Sequence, residues 1–292
     1  MYTYEAWFEI LECPNYKDSM TEVQILTNKS YIKNFQKIVK KFINKLDEYL
    51  DDPIEENIHD IRIAIRRLEA AYRILPRKIR KQPNFQNYID KSSILFKINT
   101  EIRDFDIITS KLDQQYFANP SSSKLVSSLV IKRKSKIRDA HIVTAKLRSF
   151  LVPKITEKQL SESKLKNRFH KTVNKLNVRI KQNIPIVIND DKKIYELHKM
   201  RKDFKKLRYT IELSLRNTKT PLHIENLKKI QDTLGEIHDS DIMLDYLKNQ
   251  KLTNEIADMI KQENMERSLK YKLFVKTFSA QSNGFEKLIC KI

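Results

Sequence analysis

Residues 58–75 read IHDIRIAIRRLEAAYRIL, and residues 197–214 read LHKMRKDFKKLRYTIELS. Both carry His-x-x-Arg-x-x-x followed by two cations, with apolar residues in the same register. At helical spacing, Ile58, Ile61, Ile65, Leu68 and Tyr72 share one face, and His59, Arg62, Arg66 and Arg73 form an adjacent stripe, with Arg67 to one side. The second stretch repeats this. Leu197, Met200, Phe204, Leu207 and Ile211 form its apolar face, and His198, Arg201 and Lys205 form its stripe. Arg208 flanks that stripe on one side, and Lys202, Lys206 and Tyr209 flank it on the other.

About forty residues beyond each stretch lies a second matched piece, EIRDFDI at 101–107 and EIHDSDI at 236–242. Two matched pieces in the same order imply an internal duplication. The expected fold is all-α, two four-helix bundles related by a pseudo-twofold axis.

The rest of the chain supports long helices. Only Gly235 and Gly284 are glycine, and there are eight prolines in 292 residues, too few punctuators for a fold of many turns. The apolar period between the prolines predicts helices at 29–50, 54–79, 84–115, 121–151, 156–182, 190–216, 221–248 and 252–285. Asp51 and Asp52 before Pro53 predict a helix start, and Pro153, Pro185 and Pro221 are expected to break helices. The domain reading is a first bundle at 29–153, a second at 154–292, and an N-terminal extension at 1–28 that holds the only tryptophan, Trp7. Gly235 is expected to permit a close helix approach.

The net charge is +20 and the pI about 9.7, a positive field that selects anionic partners. Cations stacked at helical spacing repel by tenths of a kcal/mol per pair. A chain that does this twice in register implies a compensating external anion, because few acids lie on the stripes; Glu69 and Glu212 are near exceptions. Arginine offers phosphate a two-pronged fork, and lysine adds a mobile point charge. The competing reading is that the stripes are solvated faces of amphipathic helices. A third run, KRKSKIRDAH at 132–141, places Arg133, Lys134, Arg138 and His141 where they extend the surface or merely solvate a helix. Nucleic acid is the second candidate partner, although no aromatic set for base stacking lies on the stripes.

The acidic pieces offer Asp-x-Asp and His-x-x-Asp patterns, which metals use, but one copy has Arg103 where the other has His238. A structural role is the expectation, with Asp104 and Asp239 orienting stripe cations. His59 and His198 read first as phosphate contacts, then as interface histidines, and last as sites of metal or phosphoryl chemistry. No nucleotide cradle, zinc cluster or nucleophile motif appears, so no catalytic residue, metal or cofactor is expected. Cys13 and Cys290 form no framework, and neither a signal peptide nor an apolar run of about 20 residues is visible. A cytoplasmic protein without a membrane span is expected; oligomeric state is not legible.

Through LHKMRKDFKKLRYTIE, IQDTLGEIHDSDI, HDIRIAIRRLEAAYRIL and EIRDFDI, residues 30–292 resemble the CHAD family, the conserved-histidine α-helical domains. The resemblance implies two antiparallel four-helix bundles and a basic surface or channel that binds inorganic polyphosphate without catalysis. It also implies an association with polyphosphate granules. Carried onto this chain, the family's basic positions are His59, Arg62, Arg66, Arg67, His198, Arg201, Lys205, Lys206 and Arg208. Glu69 departs from the pattern, which has another cation there.

Overall fold

A computed structural model describes residues 26–116, 120–214 and 222–291, with side chains undescribed at 120, 222–224 and 281–291. The expected N-terminal extension lies outside the described residues except for its last three. The described chain is all-α, with no strand among the described residues.

The helices are α1 (Asn28–Asp51), α2 (Glu55–Ile74), α3 (Arg77–Arg80), α4 (Pro83–Gln115), α5 (Pro120–Arg148), α6 (Glu162–Asn189), α7 (Ile194–Glu212), α8 (Leu222–Lys248) and α9 (Asn254–Lys291), with a 3-10 turn at Glu157–Gln159. Thr27 caps α1 by accepting a hydrogen bond from the Ser30 amide (3.1 Å). Pro83 opens α4 from its first position, where its missing N–H costs nothing.

Four expectations need correction. The helix expected over 54–79 stops at Ile74, because Pro76 cannot continue it, and resumes as the short α3. Asp51 and Asp52 do not cap α2: Asp51 ends α1, and Ile54 stands at the N-cap without a side-chain bond, while Glu55 and Glu56 face the helix dipole. The helix expected over 156–182 begins as a 3-10 turn, held by a Thr156–Gln159 capping box, and then runs on through Pro185. Its end is held from outside: the Tyr271 hydroxyl lies 2.8 Å from the Val187 carbonyl and 2.7 Å from that of Ile188. Gly235 does not mediate a close approach, since a Cβ there would meet nothing within 4 Å.

The chain divides into two compact units. The first is Thr27–Arg168 with His238–Arg267; the described residues of the second are Leu26, 169–214, 222–237 and 268–291.

In the first unit α1 packs on α2, α2 on α4, α4 on α5, and α5 back on α1, closing a ring of long helices. The reason is visible in α1, whose buried residues Tyr31, Phe35, Val39, Phe42, Leu46 and Tyr49 recur every three or four positions. Ile58, Ile61, Ile65 and Leu68 of α2 do the same, all fully or nearly fully buried. Two buried phenols are paired: the Tyr31 hydroxyl donates to the Ala71 carbonyl (2.8 Å) and the Tyr49 hydroxyl to Asn99 Oδ1 (2.9 Å). A second cluster joins Ile108, Leu112, Tyr116 and Leu129 to Met243, Leu247, Ile256 and Met259.

The second unit is built on Phe169, Val173, Leu176 and Ile180 of α6, Leu197, Met200, Phe204, Leu207 and Ile211 of α7, Leu227, Ile230 and Leu234 of α8, and Phe274 and Phe278 of α9. The Gln231 amide donates to the Phe204 carbonyl (3.1 Å), linking α8 to α7.

Candidate cationic stripes on α2 and α7

The first stripe lies on α2. Burying the isoleucine face forces the adjacent positions to the edge of the packed surface. His59 is exposed, and Arg62, Arg66, Arg67 and Arg73 are half-buried. Arg62 Nη1 donates to Thr100 Oγ1 on α4 (2.8 Å). Thr100 donates its own proton to the Phe96 carbonyl (2.8 Å), so its lone pairs face the guanidinium. The Phe96 ring serves both arginines, with its centroid 5.0 Å from Arg62 Cζ and 4.9 Å from Arg66 Cζ. An uncharged ring thus packs against two guanidiniums, and an uncharged hydroxyl accepts from one of them. Of the acids on α2, Asp60 pairs with Lys45 of α1 (2.7 Å), and Glu69 accepts from the Ser93 hydroxyl (3.3 Å).

The second stripe lies on α7. His198, Arg201, Lys205, Lys206 and Arg208 are half-buried and Lys202 is exposed. Tyr209 is only 5% exposed; its ring lies 4.8 Å from Arg208 Cζ, and Arg208 Nε is 3.4 Å from Glu212. Asp203 is fully buried and paired with Arg179 of α6 (2.9 Å), with Lys206 3.9 Å away. The register of Asp203 shows why: three residues after Met200 and four before Leu207, it falls on the apolar face.

The third run is split by its helix. On α5, Arg133 turns inward to Asp106 (2.6 Å) and Lys136 pairs with Glu101 (2.6 Å), whereas Lys134, Arg138 and His141 are exposed.

The acidic pieces are tied into the packing of the first unit. Asp106 holds Arg133 of α5, and at the matching position Asp241 holds Arg267 of α9 (2.5 Å), nearly the same distance further along the chain. Asp239 lies 3.5 Å from His238 Nδ1. Arg103 bonds Glu55, and the buried Glu263 bonds Lys111. The second aspartate of each piece thus sits on an arginine of a neighbouring helix. Among the described residues, no three His, Cys, Asp or Glu side chains converge to hold a metal ion, and no helix is long and apolar enough to cross a membrane.

Phe96, Thr100 and Arg179 carry no local sequence signal, because each acts across helices on a residue distant in the chain.

No curated protein matches the chain. Among solved structures it is similar to the CHAD domain from the plant Ricinus communis, at 14% identity and a TM-score of 0.53, over 89% of this chain and 90% of that one. It is also similar to PptA from Streptomyces chartreusis, at 9% identity and a TM-score of 0.58, over 88% of this chain and 99% of that one. At such identities the likeness concerns the fold. The CHAD domain model matches residues 34–248, a span that contains both histidine-led stripes and both acidic pieces, and the chain therefore belongs to the CHAD domain family.

Proposed function

We propose that this protein binds inorganic polyphosphate through the cationic stripes of α2 and α7, without turning it over. One observation carries the reading: the cations of each stripe lie in register beside a buried apolar face, with the Phe96 ring against Arg62 and Arg66 and the Thr100 hydroxyl accepting from Arg62. Holding long side chains in place before binding removes part of the entropy that binding would otherwise cost. The set is His59, Arg62, Arg66, Arg67 and Arg73 on α2, and His198, Arg201, Lys202, Lys205, Lys206 and Arg208 on α7, with Lys134 and Arg138 of α5 as an extension. The family association with polyphosphate supports the choice of ligand, and the charge of +20 supports a polymeric anion.

The duplicated stripes and acidic pieces support an internal repeat of four helices in each half, 29–153 and 154–292, with residues 238–267 of the second half packed into the first compact unit. The reading assigns the protein to the cytoplasm, at polyphosphate granules.

The test is calorimetry with long-chain polyphosphate on the wild type and an Arg62→Ala/Arg201→Ala variant. Binding by the wild type, steeply weakened by salt and lost in the variant at an unchanged melting temperature, is the expected result. Absence of binding heat at low salt rejects the reading. DNA or RNA displacing polyphosphate at lower concentration would replace it with nucleic-acid binding. Phosphate release that disappears with His59→Ala or His198→Ala would make the protein an enzyme.

A further inference from the structure

The end of α2 holds two arginines that belong to neither stripe. Arg80, the last residue of α3, donates from Nε to the Leu75 carbonyl (3.1 Å). Arg168, on α6 and within the first unit, donates from Nη2 to the Arg73 carbonyl (3.0 Å). Arg73 lies in the last turn of α2 and Leu75 is its C-cap, where carbonyls run out of intrahelical partners and Pro76 bars continuation.

Helix capping accounts for only part of this arrangement. Each guanidinium has five N–H donors, and each bond to a carbonyl uses one. Arg168 Nε is buried and has no hydrogen-bond partner among the described residues. Neither arginine is paired with a carboxylate among the described residues. Burial lowers the Arg168 pKa, and the neighbouring Arg80 charge lowers it further. A helix C-terminus supplies about half a negative charge, against two full positive ones. The excess is positive, partly withdrawn from water, and equipped with unused donors. Arg77, Lys78 and Lys81, all exposed, add to the field.

We propose that Arg80 and Arg168 form an oxyanion clip at the C-terminal end of α2, and that it takes one phosphoryl group, either free orthophosphate or a unit of a phosphate polymer. Guanidinium forks match phosphate oxygens in pairs, which an isolated carbonyl cap does not require. The clip goes beyond the stripe reading and uses none of its side chains.

The full chain and an Arg80→Gln/Arg168→Gln variant are titrated with orthophosphate and, separately, with long-chain polyphosphate at low salt. Phosphorus NMR line broadening and the melting temperature are followed. The expected result is a phosphate-dependent rise in melting temperature for the wild type that the variant loses, or a loss of about tenfold or more in polymer affinity. Loss with both anions identifies a site open to free phosphate, and loss with the polymer alone identifies a subsite for a chain unit. Equal binding of both anions by wild type and variant overturns the clip.

An Arg80→Lys/Arg168→Lys variant guards against misfolding, since it keeps both charges and a donor for each carbonyl but loses the forks. Weakened anion binding at an unchanged melting temperature supports the clip. A lowered melting temperature with unchanged anion binding reduces the pair to helix capping and overturns it. The Arg62→Ala/Arg201→Ala variant, run in parallel, separates the two proposals: weakening there alone rejects the clip, and weakening in the clip variant alone rejects the stripes.

Discussion

Replacing Phe96 by leucine keeps an apolar side chain on α4 but removes the ring face shared by Arg62 and Arg66. Both guanidinium carbons lie about one ring contact away, at 5.0 and 4.9 Å from the centroid. A cation–ring contact at a partly exposed site is worth about 0.5–1 kcal/mol. Two contacts give about 1–2 kcal/mol, which lowers polyphosphate affinity by about 5- to 30-fold if all of it goes into ordering the bound geometry. No charge is removed, so the dependence of affinity on salt stays as in the wild type. An Arg62→Ala/Arg66→Ala variant behaves differently: it loses affinity and also flattens the logarithmic salt slope by about two, one for each phosphate contact. Calorimetry between about 50 and 200 mM salt measures both quantities. If Phe96→Leu binds like the wild type while the double arginine variant binds weakly, Phe96 orders nothing that matters. If Phe96→Leu changes the salt slope, its effect is not ordering but a loss of charge contacts, and the reasoning fails equally.

Asp203→Asn leaves Arg179 without its buried partner and destabilises the fold by about 2 kcal/mol, less than a wholly buried pair because Arg179 is one-third exposed; urea unfolding measures it. Gly235→Ala stabilises by about 0.5–1 kcal/mol, since the added methyl meets open space within α8, and a rise in melting temperature checks it. Burial raises the Tyr88 pKa to about 12, and it raises those of Tyr31, Tyr49 and Tyr116 as well. These phenols are more easily ionised once unfolded, so the stability they hold below pH 10 is lost as pH rises through 10 toward about 12; urea midpoints across that range, with absorbance of the phenolate, measure the fall.

What was legible in the sequence is what depends on residues close together in the chain. The three-or-four spacing of Tyr31 through Tyr49 specifies the buried face of α1 without outside help. The same periodicity placed Arg62 and Arg66 beside, and not within, the isoleucine face of α2. The misses depend on distant partners. Pro185 sits inside α6, where Tyr271, more than eighty residues away, reaches the carbonyls at the helix end. Gly235 was read as a packing device, yet a glycine signals close approach only where some neighbour fills the space, and here none does. Asp203 lay in plain register with the core, but its acceptability depends on Arg179, on another helix. Arg80 and Arg168 meet at the end of α2 from positions 88 residues apart, a proximity no local pattern encodes.

The cluster that joins Ile108, Leu112 and Leu129 to Met243, Leu247, Ile256 and Met259 has a consequence for how the protein is made. The early members leave the ribosome roughly 130 to 150 residues before Met259, a delay on the order of ten seconds at ordinary rates of synthesis. Throughout that interval Ile108, Leu112 and Leu129 lack the α8 and α9 partners that bury them in the finished fold. That places a holding chaperone's window of action between the emergence of α5 and that of α9, and it means that a ribosome stalled in α8 exposes a sticky intermediate rather than a completed first unit.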